Sequence, residues 1–189
     1  MREIQAEPLW KSALWQQFGA AIDTLESAVL ACPGELWNGQ LWSDYSDHPL
    51  PPESAAFWYI AYHTLFWLDL YLTGSIEDFA PPRPFTLDEL DPAGKYPERP
   101  YTRDELHAYL VYLRKKCHAT IAGLSDEKAR QQVNFPWARG KQVSFFELLL
   151  YTMRHVQEHA AQLNLFLGQH AIAGTTDWVS RAKAGASSE

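Results

Sequence analysis

Apolar residues recur along the first thirty positions in a helical rhythm. Leu14, Phe18, Ala21, Leu25 and Ala28 follow at alternating steps of four and three, so they share one stripe of a helix expected over 9–31. Cys32-Pro33-Gly34 ends it, because proline has no N–H for the ladder and glycine suits a helix terminus. A second helix is expected over 53–72, opened by Pro51-Pro52-Glu53-Ser54 and closed by Thr73-Gly74. It is apolar nearly all round. A four-helix bundle covers only about half of a helix, so the remaining surface calls for the long connections or a second subunit.

Thr102-Arg103-Asp104-Glu105 is a capping box that starts a third helix over 103–123, with Leu106, Leu110, Leu113, Cys117 and Thr120 facing inward. Ser125-Asp126-Glu127 caps a short helical turn, and a brief extended piece is expected over 133–143 with a turn at Gly140. Ser144-Phe145-Phe146-Glu147, a second capping box, opens the last long helix over 145–167, ended by Gly168. Between these elements lie two long connections. Residues 35–52 carry Trp37, Trp42 and Tyr45, which should pack on the bundle. Residues 75–100 hold six prolines and no periodicity, and read as a long crossover. Residues 171–189 read as a loosely held tail. The pattern predicts an all-α four-helix bundle with long crossover connections, as one domain over 1–189 with its core over about 9–168.

Composition adds an aromatic interior: 8 Trp, 9 Tyr and 9 Phe stand among 189 residues. The net charge is −7 and no basic run occurs, which disfavours nucleic acid and anionic membrane surfaces as partners. The longest apolar stretch, 57–72, is too short to span a membrane. Two cysteines, Cys32 and Cys117, make neither a disulfide framework nor a cysteine zinc site, and with no signal peptide at the N-terminus the expected compartment is the cytoplasm.

Chemistry concentrates in Arg154-His155-Val156-Gln157-Glu158-His159-Ala160-Ala161-Gln162-Leu163. His155 and His159 are four apart on a helix and therefore share a face, where two imidazoles can converge on one ion. Gln162, three further along, can orient a ligand from behind. His63, midway along the most apolar helix, is the best third ligand, because a buried imidazole needs partners for both nitrogens. Tyr59 lies one turn before it. Against this stand plain alternatives: a lone histidine in a core is more often hydrogen-bonded than ligating, and a pair four apart often faces solvent. The conjunction of the three favours metal. His155 to Glu158-His159 also fits the H-x-x-E-H pattern of inverted zinc proteases, with Glu158 as base. However, the downstream acids are only Asp177 and Glu189, both near a polar terminus, so that reading is weak. His107 and His118 are three turns apart and cannot share an ion. His48 and His170 read as loop or surface residues, Cys117 as a packed thiol and Asp69 as a structural carboxylate bonded across the bundle.

At two stretches the sequence resembles the DinB-like superfamily, the group that includes the YfiT-type metal hydrolases. One is Phe57-Trp58-Tyr59-Ile60-Ala61-Tyr62-His63-Thr64-Leu65-Phe66-Trp67-Leu68. The other is the H-x-x-x-H helix followed by Gln162-Leu163. The resemblance implies a crossover four-helix bundle, His63, His155 and His159 as ligands of zinc or nickel, and often a homodimer. The family's glycine before the terminal Gln-Leu is Ala161 here. Some members act on low-molecular-weight thiols. Three protein ligands leave coordination open, which suits a metal-dependent hydrolase or thiol transferase with a small-molecule substrate and with Gln162, Tyr59 and Glu158 as candidate positioning or base residues. The alternative is a non-catalytic metal-binding, sensor or interaction module.

Overall fold

A computed structural model describes residues 8–42, 52–138, 140–172 and 177–184. Its helices are α1 (Leu9–Ala31), α2 (Phe57–Thr73), α3 (Arg103–Ala122), α4 (Asp126–Arg130) and α5 (Phe145–Gln169). Between α4 and α5, β1 (Gln132–Val133) pairs antiparallel with β2 (Val143–Ser144), and Gly140, at φ 77°, lies in the turn between them. The helix starts rest on local chemistry. The Glu105 N–H donates to Thr102 Oγ1 at 3.2 Å and the Thr102 N–H donates to Glu105 Oε2 at 2.8 Å, which closes the expected box. Ser125 and Ser144 cap α4 and α5 by accepting from the Lys128 and Glu147 amides.

α2 begins four residues later than its sequence signals suggest. Pro52–Ala55 form a 3-10 turn and Ala56 is extended, with ψ 141°. The cause is tertiary. The Leu41 N–H donates to Ala55 O, the Phe57 N–H to Gly39 O and the Trp58 N–H to Trp37 O, so residues 37–41 take up backbone groups that a continuing helix would use. α5 runs past Gly168 to Gln169, beyond its expected end.

α1 packs on α3 and α5, and α2 packs on the same two helices. α1 and α2, consecutive in sequence, therefore sit across a diagonal, as do α3 and α5. The long connections are what permit this arrangement. The aromatic core fills the centre. Within α2 every residue is buried except His63, Trp67 and Thr73. Much of that cover comes from the crossover after α2: Phe79 meets Phe66 edge-on at 5.1 Å, and Phe85 stacks on both Tyr62 at 6.0 Å and Tyr109 at 4.3 Å. The apolar circumference of α2 is thus covered by the chain itself, and the argument for a second subunit from that helix falls away. On α3, Thr120 is only half-buried and Ile121 takes the inner place.

Two buried carboxylates tie helices together. Asp69 accepts from Tyr109 Oη at 2.7 Å and from Lys116 Nζ at 2.5 Å, the structural role expected of it. Asp23, wholly buried, accepts from Arg114 Nε at 2.7 Å and from the Lys183 N–H at 2.5 Å. That second bond belongs to a strap where a loose tail was expected. The Ala182 N–H donates to Gln16 O at 2.9 Å, and Arg114 Nη2 donates to Lys183 O at 2.7 Å. Ala182 sits so close to Gly19 that a Cβ there would lie 2.5 Å from its own. Tyr45 and His48 lie outside the described residues.

Candidate metal centre

Helical geometry aims two of the three imidazoles. His155 and His159 stand one turn apart on α5, and their Nε2 atoms approach to 3.1 Å with the rings nearly perpendicular, at 87°. His63 projects from α2, which packs against α5, with its ring centroid 5.3 Å from each of the other two. One ring nitrogen from each of the three lies within 4.8 Å of the others, close enough to hold a metal ion. Among the described residues this is the cluster of that kind.

The hydrogen bonds behind the rings decide which nitrogens face inward. Glu89, from the 3-10 turn Asp88–Leu90 of the crossover, places Oε2 2.9 Å from His63 Nδ1. A carboxylate has no proton to give, so His63 Nδ1 must donate, which leaves the Nε2 lone pair for the cluster. Trp67 Nε1 donates to the same Oε2 at 2.9 Å, and its 3.1 Å approach to His63 Nδ1 is then a by-product of two donors sharing one acceptor. His159 Nδ1 lies 2.7 Å from Gln162 Oε1 and donates to it, so its Nε2 lone pair also points inward. The Nε2 atoms of His155 and His159 lie 3.1 Å apart, a separation that a proton or a cation held between them accounts for. Ligands on a tetrahedral ion at about 2.0–2.1 Å stand roughly 3.3–3.4 Å apart, close to that separation. His155 Nδ1 is buried without a hydrogen-bond partner. The donor set therefore fits a borderline divalent cation.

Burial favours the neutral form of the two rings on α5. Burial lowers His155 to about 3, and the neighbouring His159 and His63 push in the same direction. Burial also lowers His159. Burial alone would raise Glu89, but donation from His63, Tyr59 and Trp67 more than offsets it and holds the carboxyl below its usual range. Burial pushes the Tyr59 phenol up, with Glu89 beside it adding to the effect.

Above the cluster opens a cavity of about 420 Å³, lined by His63 and His159 together with Trp42, Tyr59, Ile60 and Tyr96, and with Asp91 and Lys95 among its polar groups. Tyr59 stacks on Tyr96 at 4.8 Å. Of the residues singled out in the sequence, His63, His155, His159, Gln162 and Tyr59 come together. Glu158 is exposed and does not line the cavity. The acid partners of the protease pattern give it no support: Asp177 lines a different cavity and Glu189 lies outside the described residues. His107 Nε2 sits 3.1 Å from Glu26, His118 packs on Trp15 and His170 Nδ1 faces Phe166 O at 2.8 Å, so each is accounted for away from the cluster. Both thiols are buried. Sequence reasoning missed Glu89, Trp67 and Tyr96. Trp67 had a signal, one turn beyond His63 on the same helix. Glu89 and Tyr96 had none, because they come from a connection with no periodicity.

Fold and site together define an all-α bundle with an internal cluster of three imidazoles between two helices. A family model described as the DinB superfamily matches residues 12–163, and the chain belongs to that superfamily. No curated protein and no solved structure gives a significant match. No helix among the described residues is long and apolar enough to cross a membrane.

Proposed function

We propose that this chain is a metal-dependent enzyme, a hydrolase or thiol transferase, in which His63, His155 and His159 hold one divalent transition ion, zinc or nickel. The single observation that carries the reading is three imidazole nitrogens within 4.8 Å of one another, beside a cavity large enough for a small molecule that His63 and His159 line. When bound, such an ion supplies Lewis acidity to a substrate oxygen or thiol. The chain's own groups do the rest. Gln162 fixes the His159 ring. Trp42, Tyr59 and Tyr96 give apolar faces that shed water from an entering molecule, and the Tyr59 hydroxyl remains protonated and able to donate. Glu158 would serve only as a remote charge. We place the protein in the cytoplasm as a single domain over 1–189, acting on a small molecule such as a low-molecular-weight thiol, with homodimer formation open to direct measurement.

A second reading has its own observation. The cluster joins α2, α5 and the crossover, so an ion could act as a staple in a non-catalytic or sensing module. Metal content of the purified chain, followed by ester and thiol substrate panels with and without chelator, separates the cases. One ion per chain, lost in His159→Ala, with turnover that requires the ion, is the expected outcome. Metal content at background in both forms would end the proposal. A bound ion without any turnover would favour the staple.

A further inference from the structure

We infer that Glu89 is a positioning residue through which the crossover sets the tautomer of His63 and lowers the positive charge of the loaded site. This rests on the metal-site reading above. Glu89 is held among partners, with its side chain only 6 % exposed, and its Oε2 receives N–H groups from both His63 and Trp67 at 2.9 Å. An acceptor-only group at that distance forces the proton onto His63 Nδ1 and turns Nε2 toward His155 and His159. The same turn of chain, through Asp91, Lys95 and Tyr96, walls the cavity over the histidines. One stretch of crossover therefore touches the incoming molecule and also supports a ligand.

Charge counting gives the effect of Glu89. Three neutral imidazoles contribute nothing, a divalent ion contributes two positive charges and the Glu89 carboxylate one negative. The carboxylate thus offsets one of the ion's two charges inside a partly desolvated site, and its removal should strengthen the hold on an added anion. Asp91, which lines the same cavity, and Asp88, 3.7 Å from Lys95, are common to every variant compared and do not alter that difference.

The test compares the full-length chain with Glu89→Gln and Glu89→Ala, and with Glu127→Gln as an exposed change of the same net charge. Three readouts are taken. In the metal-free chain, taken to a pH where further titration leaves the His63 signals unchanged, ring ¹⁵N shifts of His63 should report a single Nδ1–H tautomer, becoming a mixture in Glu89→Ala. Zinc affinity by chelator competition should fall roughly 10- to 100-fold in both Glu89 variants. In cobalt-loaded protein, the visible spectrum titrated with azide or 2-mercaptoethanol should show tighter anion binding in Glu89→Gln, because the site has become more positive. Metal affinity and anion affinity thus move in opposite directions, whereas a merely loosened structure would weaken both. An unchanged His63 tautomer in Glu89→Ala overturns the inference, as does zinc affinity within twofold of the parent or anion affinity that falls with the metal's. A parent chain that takes no zinc at all defeats the function proposed above, while the tautomer readout still decides the role of Glu89.

Discussion

Single side chains at this site are governed by what stands behind them. His155 has a buried Nδ1 without a partner, and it is the ring that burial keeps neutral most strongly. In the unfolded chain it takes up a proton near its ordinary value of 6.5, whereas in the metal-free fold it does so only near about 3. Between those values the unfolded state binds more protons, so stability rises with pH across the window and is lost on acidification through it. Urea midpoints of metal-free protein at pH 7 and pH 4.5 should therefore fall more steeply for the parent than for His155→Gln. Equal slopes would show that His155 is not neutral in the fold. Some of this was legible in the sequence, since His155, His159 and Gln162 share a face by spacing alone. The support of His63 was not, because Glu89 lies 26 residues away with no pattern to link the two.

Elements were legible where their signals are local. The apolar stripe of α1, the capping box of α3 and the caps of α4 and α5 are written in four- to seven-residue patterns, and the helices follow them. The start of α2 was misplaced because segment 37–41 bonds to its first backbone groups, a long-range contact no window can register. The strap shows the same limit. Residues 180–183 are polar and aperiodic, yet Asp23, Arg114 and Gln16 hold their backbone. Gly19 marks where the strap crosses α1. A helix interior ordinarily gains about 1 kcal/mol from Gly→Ala, but a Cβ here would lie 2.5 Å from that of Ala182. Gly19→Ala is accordingly expected to destabilise the chain in urea unfolding. The double variant Gly19→Ala with Ala182→Gly should recover the loss. A stabilised single variant would mean that the strap is not held against α1.

For the whole molecule, the consequence of the site is linkage. An ion held by α2 and α5, as proposed, would bind the folded chain and not the unfolded one. Zinc at about a thousand times its dissociation constant therefore adds roughly 4 kcal/mol of stability. For a chain of this size that is a rise of about 8–16 °C in melting temperature. Calorimetry should show the rise in the parent, its reversal by chelator and its absence in His159→Ala. A melting temperature indifferent to zinc would argue against an ion shared between those helices.

The sequence alone determined the class of fold and the pair on the last helix, because helical periodicity, caps and i to i+4 spacing act over a few residues and need no tertiary information. Only the tertiary structure decided how the crossover and strap close on the bundle, which atoms of His63 face the cluster and which outer group holds them. Those depend on contacts between segments far apart in sequence, where burial of aromatic rings and the pairing of buried polar groups select one arrangement, and a linear pattern carries no record of that choice.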